Sequence, residues 1–393
     1  MANEGIDFLR IQSKIKYKIF LILYFILYPI CKILYGRKKN WIICERGNDA
    51  QDNGFIFFKY IIEEHKDINI TYLINKRSVD YKKVADLGKC VQFGSLKHFL
   101  LAIGVPVKIS SQLFGYAPWV QMATYFRRNV TRDKHIFLQH GIIKNAHEGL
   151  YGDVCKSLDL FVCGAKPEYD FIYNTFHYLN GVPQYTGLAR YDNLLNQRAK
   201  KQILIMPTWR TKLVGINDSS FLESVFFINW QSLISDSRFI DDCKKNGFDI
   251  IFYLHYELQK YSHLFHANEI VKIVNYGEKT VQQLLMESSL LITDFSSVFF
   301  DFAYMEKPVI FFQFDELTFN SEHYSKGYFD YRVNGFGPVC NSLNETIKEI
   351  TYVFNNSFNI TAQYKERIDG YFIYKDKHNC DRIFEAIQKV TCK

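Results

Sequence analysis

The chain has 393 residues, 48% of them hydrophobic and 17% aromatic, and a formal net charge of +7. That length and apolar content suffice for two domains with sizeable cores and exclude a disordered chain. The charge is local: Arg10, Lys14, Lys16, Lys18, Lys32, Arg37, Lys38 and Lys39 face only Glu4 and Asp7 within residues 1–40, so the body is nearly neutral, unlike that of a nucleic-acid enzyme.

Residues 19–31 form an uncharged apolar run with basic residues on both sides. Thirteen helical residues reach about 20 Å, short of the ~30 Å hydrocarbon core. Pro29 weakens a straight helix further. The favoured reading is a helix lying in an anionic membrane surface. A core helix and a short snorkelling span are the alternatives. No small-residue cleavage site follows, so a removed signal peptide is not expected. Nine scattered cysteines without a C-x-x-C pair read as free thiols in a reducing compartment, with neither a disulfide framework nor a zinc site.

From residue 41 the pattern is βαβ. Trp41–Cys44 reads as a strand, followed by a polar loop containing Asp52 and Asn53 and a helix over Phe55–Glu64. Ile68–Ile74, Lys89–Phe93 and Val105–Ile109 read as strands, with a helix near Leu96–Ile103. His135–Gln139 is a strand that ends at His140-Gly141, with Lys144 one short loop on. A histidine at a strand's carboxyl end is better placed for chemistry than one on a helix face. His135, His147, His177, His263 and His266 lack that context. After the strand Leu158–Cys163, a polar hinge contains Gly187, Arg190 and Asp192, which puts a domain boundary near residues 190–200.

The second half restarts the alternation. Gln202–Met206 is a strand running into Pro207-Thr208-Trp209-Arg210, where the arginine could fork onto a phosphate or form a salt bridge. Trp230–Asn246 is helical, Asp249–Leu254 is a strand ending at His255, Val271–Val274 is a strand, and Glu278–Glu287 is a helix. The most informative stretch follows. Leu290–Thr293 suits a buried strand. Asp294, Phe295 and the pair Ser296-Ser297 come next, then a short helix from Val298 to Met305 carrying Asp301. Lys307-Pro308 leads into the strand Val309–Phe312. Serines at a helix start serve either as caps or as donors to a bound phosphate. Asn344–Asn355, Thr361–Asp369 and Asn379–Val390 read as helices. No D-x-D pair occurs, so nothing in the sequence points to a metal held by paired aspartates.

Taken together, five ordered segments resemble the CDP-glycerol glycerophosphotransferase family, which builds teichoic acids and related phosphopolyol polymers. They are Gln139-His140-Gly141-Ile142-Ile143-Lys144, Gly187-Leu188-Ala189-Arg190-Tyr191-Asp192, Pro207-Thr208-Trp209-Arg210, Tyr253-Leu254-His255-Tyr256 and Thr293-Asp294-Phe295-Ser296-Ser297 with Asp301 and Lys307-Pro308. The loop from Gly47 to Asp52-Asn53 is a weaker echo. Ile142-Ile143 replaces the Thr-Pro of many members, and the C-terminal motif survives only as Asp376 to Arg382.

The resemblance implies an α/β, GT-B-like fold of two Rossmann-like domains facing across a cleft. Residues 41–195 would bind the acceptor, and 196–393, with the terminal helices, would bind the donor; residues 1–40 lie outside the resemblance and are expected to associate with the membrane on their charge and apolar run. It implies a CDP-glycerol or CDP-ribitol donor, a hydroxyl of a lipid-linked glycan or polymer as acceptor, release of CMP, and no cofactor, metal or nucleic acid. His140 would be the general base, and His255 would stabilise charge on the transferring phosphate or the departing CMP. Thr208, Arg210, Asp294, Ser296, Ser297 and Asp301 would serve the donor side. Asp52, Asn53, Lys144 and Arg190 would support the acceptor side. The enzyme would act peripherally at the cytoplasmic face of the cell membrane. The runner-up is a GT-B glycosyltransferase using a nucleotide sugar; a non-catalytic membrane scaffold is a rival of another class.

Overall fold

Runs such as Trp41–Cys44 and Leu290–Thr293 lack polar alternation, and such runs are stable as strands only where both sheet faces are covered. The computed structural model, which describes residues 22–118, 132–146, 148–195, 198–323 and 327–392 with the single positions 19 and 123, buries both runs in parallel sheets. The first sheet holds β1 (Asn40–Cys44), β2 (Asn69–Ile74), β3 (Cys90–Gln92), β4 (Val107–Ser110), β5 (Lys134–Phe137), β6 (Leu160–Cys163) and β7 (Pro183–Tyr185). The second holds β8 (Gln202–Ile205), β9 (Asp249–Phe252), β10 (Val271–Ile273), β11 (Leu290–Thr293), β12 (Val309–Phe312) and β13 (Val339–Cys340).

Strand order is β3-β2-β1-β4-β5-β6-β7 in one sheet and β10-β9-β8-β11-β12-β13 in the other. Each therefore reverses direction of growth once, between β1 and β4 and between β8 and β11. In such sheets ligands bind beyond the carboxyl ends of the strands at that reversal. The loops after β1, β4, β8 and β11 are thus where a site is expected on topology alone.

Most elements lie where the sequence places them, and the differences are local. The stretch Trp230–Asn246 belongs to two helices, Val225–Ser235 and Ser237–Asn246, because Asp236 leaves the helical conformation and caps the second through the Arg238 N–H. The helix read from Glu278 starts at Val281, where Thr280 and Gln283 form a reciprocal capping box. Two strands, Pro183–Tyr185 and Val339–Cys340, are too short to leave a periodic signature.

The lobes are stitched together behind the sheets. The last helix, Asn379–Thr391, packs against β5 and β6 of the first sheet although it follows the second in sequence. Asp192 accepts hydrogen bonds from the backbone N–H groups of Asn379 (2.9 Å) and Cys380 (2.8 Å), satisfying donors at the start of that helix. Arg382 grips Asp376 with two nitrogens and the Thr186 carbonyl with its Nε. This gives a physical role to the Asp376–Arg382 remnant and to Asp192.

Residues 22–35 are helical. Tyr24 and Cys31 are buried on its inner face, and Lys32 ion-pairs with Asp133 and donates to the Gly104 carbonyl (3.1 Å). Ile22, Phe25, Ile26, Ile30, Ile33 and Leu34 point outward and are exposed. Among the described residues no helix is long and apolar enough to cross a membrane. Residues 1–18, which carry part of the basic segment, and His147 lie outside the described residues. All nine cysteines are unpaired.

Gly187 has φ +78°, and a Cβ there would lie 1.8 Å from Asn379 Oδ1. Gly181 has φ +86° but open space around it. Alanine at Gly181 should therefore cost only the strain of the left-handed region, about 1–2 kcal/mol. Gly187→Ala should cost more, because the last helix must also move. Urea unfolding of the two variants checks this; equal losses would show that the close approach to Asn379 is not what requires glycine.

Candidate active site

Both sheet reversals open onto one cleft of about 640 Å³. From the first lobe it is lined by Glu45, Arg46 and Asp52 after β1, Ser111 and Gln112 after β4, and His140 after β5. The second lobe contributes Met206 after β8, His255 after β9, and Ser296, Ser297 and Asp301 after β11. The two histidines and the serine pair, far apart in sequence, thus face the same space. A Cβ built on Gly141 would come within 3.4 Å of Ser297 Oγ, so the turn after His140 nearly touches the serine pair.

Neither serine acts as a cap. Ser297 precedes the helix Val298–Tyr304 but its side chain makes no capping bond, and neither hydroxyl is engaged within the described residues. That helix has only seven residues, so the free hydroxyls, more than a helix dipole, are its means of meeting an anion.

The His140 residue is exposed and lines the cleft. Burial by the surrounding walls holds its pKa below the ordinary 6.5; Arg46 and Arg190 push the same way, while Asp52 and a bond to the Ser111 backbone oppose them. His255 is pushed down to about 4, chiefly by burial and then by Arg46. Its Nδ1 accepts the Glu257 N–H at 3.3 Å, which leaves the ring proton on Nε2. Both imidazoles are neutral at pH 7. One can therefore accept a proton, and the other can donate a hydrogen bond without carrying charge.

Other residues singled out from the sequence are committed to the architecture. Arg190 pairs with both oxygens of Asp301 (2.7 and 2.8 Å) across the lobes, and its Nη1 reaches Asp52 (2.7 Å) and the His140 carbonyl (2.8 Å). Asn53 is fully buried, donating to the Gln139 carbonyl and accepting from the Arg190 N–H. Lys144 donates to the Phe295 carbonyl at 2.6 Å; burial lowers its pKa to about 8. Asp294 is wholly buried, accepting from the Thr208 and Phe295 N–H groups and from Arg210. Arg210 also grips Asp315 and the Thr208 carbonyl and lies over the rings of Phe295 and Phe319. Asp294, Arg210 and Lys144 therefore lie behind the cleft wall, with their polar atoms already taken. The Thr208 hydroxyl is buried without a partner.

Glu45 and Arg46 are among the cleft residues that escaped the sequence reading. Glu45 is 2% exposed, and its carboxylate accepts the N–H groups of Gln51, Asp52 and Phe55; burial first, then Asp52, raises its pKa to about 7. Arg46, beside it, is exposed and reaches into the cleft. Their position in the loop directly after the first strand was the signal available; that this strand lies at the sheet reversal is seen only in the structure. No group of acidic, histidine or cysteine residues among the described ones has the arrangement of a metal site.

The family model described as CDP-Glycerol:Poly(glycerophosphate) glycerophosphotransferase matches residues 29–389. The minor teichoic acid biosynthesis protein GgaB of Bacillus subtilis (strain 168) is 34% identical over 366 residues, covering 90% of this chain. This chain spans only 40% of GgaB's length. Among solved structures, the wall teichoic acid polymerase TagF matches with a TM-score of 0.68 at 17% identity, covering 91% of this chain and 90% of that one; TagF has also been solved after a CDPG soak. A putative UDP-N-acetylglucosamine 2-epimerase from Listeria monocytogenes matches with a TM-score of 0.58 at 11% identity, covering 90% of this chain and 96% of that one. At such identities the structural matches speak for the fold alone.

Removing Arg210 strands a fully buried Asp294 without its cation. Arg210→Ala should lower the unfolding free energy by about 3–5 kcal/mol, as for other broken buried pairs. Guanidinium unfolding measures it. A loss nearer 1 kcal/mol, typical of an exposed pair, would show that the arginine is not the clamp its geometry indicates.

Proposed function

The chain belongs to the CDP-Glycerol:Poly(glycerophosphate) glycerophosphotransferase family, and from that premise we propose that it transfers a polyol phosphate from CDP-glycerol or CDP-ribitol to a hydroxyl of a lipid-linked glycan or polymer. The observation that carries this reading is the meeting of His140, His255, Ser296 and Ser297 in one cleft between two doubly wound lobes. Residues 41–195 bind the acceptor and residues 196–393 the donor, with the last helix returning to brace the first lobe.

In the reaction the acceptor oxygen attacks the phosphorus that carries the polyol, and its proton passes to His140. A bond forms between the acceptor oxygen and phosphorus. The bond from that phosphorus to the bridging oxygen breaks, and its electron pair leaves with CMP. His140 is suited to this as a neutral base whose pKa lies below the ordinary value. His255 donates from Nε2 to the transferring phosphate or to the CMP oxygen that gains charge. Ser296 and Ser297 hold the diphosphate, and the unpartnered Thr208 hydroxyl is available to it. Asp294 and Arg210 fix the loops that carry these groups, while Asp52, Asn53, Lys144, Arg190 and Asp301 fix the lobes around them.

The assay that tests the reading is nucleotide release from CDP-glycerol, CDP-ribitol and UDP-sugars with a polyol-phosphate acceptor. CMP should appear only with the CDP-polyols. His140→Ala should lose about 10²–10⁴-fold in kcat while still binding donor, and the Ser296→Ala/Ser297→Ala double variant should bind donor more weakly in calorimetry. Release of UDP from a UDP-sugar would make the protein a glycosyltransferase, and near-normal turnover without His140 would remove the base.

The helix 22–35 supports peripheral attachment at the cytoplasmic membrane face. One side is anchored by Lys32 and buried Cys31, and the opposite side presents apolar side chains next to Arg37, Lys38 and Lys39. Apolar area flanked by basic residues suits the headgroup region of an anionic bilayer. The full chain should co-sediment with vesicles containing anionic lipid, and replacing Ile26, Ile30 and Ile33 by serine should release it. Equal partitioning of the two proteins would dismiss the attachment.

A further inference from the structure

Transfer of a phosphoryl group concentrates negative charge between the attacking and leaving oxygens, and such sites ordinarily set a cation there. The cations first expected to do this are all spent. Arg190 is held by Asp301, Asp52 and the His140 carbonyl; Arg210 by Asp294 and Asp315; Lys144 by the Phe295 carbonyl. The carboxylates lining the cleft are likewise engaged. Glu45 holds three backbone N–H groups, Asp52 and Asp301 face Arg190, and Asp49 accepts from Tyr276 at the rim.

Arg46 is different. It follows β1 at the first sheet's reversal, lines the cleft, is exposed to it, and makes no hydrogen bond or ion pair among the described residues. A second observation points to the same place. Ser111, after β4 on the other side of that reversal, also lines the cleft; it is 1% exposed, and its hydroxyl is buried without any partner. A buried hydroxyl left unpaired costs about 1–3 kcal/mol, so it is expected to meet a ligand. Arg46 is moreover the one charged group that acts on both imidazoles: His140 faces Arg46, Arg190 and Asp52, while His255 faces Arg46 and Asp294.

We propose that Arg46, with Ser111 as a second donor, binds the phosphate undergoing transfer, opposite Ser296 and Ser297. This makes Arg46 a catalytic residue that stabilises charge on the transferring group, and it deepens the reaction assigned above. In that step the acceptor oxygen–phosphorus bond forms, the bond from phosphorus to the CMP oxygen breaks, the proton goes to His140 and the electron pair to CMP. The guanidinium stays on the non-bridging oxygens throughout. The first lobe is then more than an acceptor platform, since it supplies the cation for the donor held by the second.

Three measurements on wild type, R46Q, R46K and S111A test this. With CDP-glycerol, R46Q should lose about 10²–10³-fold in kcat with little change in the acceptor KM. R46K should recover part of the loss. The acid limb of the R46Q pH–rate profile should move to higher pH, because removing a neighbouring cation eases protonation of the imidazoles. S111A should bind inorganic pyrophosphate more weakly, and R46Q should do so by at least about 10-fold. A kcat for R46Q close to wild type, or a loss confined to acceptor KM, would overturn the assignment. If wild type releases no CMP from CDP-glycerol, the donor reading fails by itself. Pyrophosphate affinity still decides the role of Arg46: weaker binding to R46Q upholds a phosphate site, and equal binding overturns it. Circular dichroism of each variant separates loss of fold from loss of the site.

Discussion

One guanidinium holds the cleft in shape. Arg190 bonds Asp301 on the second lobe with two nitrogens, and a third nitrogen reaches Asp52 and the His140 carbonyl on the first. Arginine suits this position because its planar fork matches a carboxylate and still leaves donors for other acceptors. Burying such a charge is costly unless every partner is in place. The arrangement is therefore close to all-or-none: when it forms, the turn carrying His140 and the helix carrying Asp301 have one relation to each other. The near contact of Gly141 with Ser297 follows from that relation. Arg210 repeats the device within the second lobe, fixing the ends of β8, β11 and β12 through Asp294 and Asp315.

Spending the strong cations on architecture shapes the electrostatics that remain. The cleft is lined by neutral donors, two neutral imidazoles and engaged carboxylates, with Arg46 as its free positive charge among the described residues. Burial is the main cause that lowers both histidine pKa values, and Arg46 adds to it at each. A base that is neutral at physiological pH need not first lose a proton before accepting one from a hydroxyl.

The architecture was largely legible because buried parallel strands write continuous apolar runs, and their alternation with helices leaves few topologies. That His140, His255 and the serine pair share one cleft was legible for a related reason: in such sheets the strand ends gather at one place. The same rule could not tell ligand contacts from clamps. Asp294, Arg210 and Lys144 also sit beyond strand ends, and a polar side chain there looks the same whether it meets a substrate or a partner brought close by the other half of the fold. Only the coordinates pair Arg190 with Asp301 or Lys144 with Phe295. Arg46 was passed over for the opposite reason. It lies in a loop of mixed polar residues, and its place at the cleft shows only once the strand order makes β1 a reversal strand.

The bonds between the lobes are unequal. Arg190–Asp301 is buried and bidentate, and Asp192 and Arg382 tie the last helix across the hinge. At the rim, Tyr276 meets Asp49 through a single exposed 3.3 Å bond. An exposed bond of that kind contributes little net stability, since water replaces it readily. The buried clamp, by contrast, leaves uncompensated charges when parted. The Tyr276 rim is therefore a weaker joint between the lobes than the Arg190 clamp.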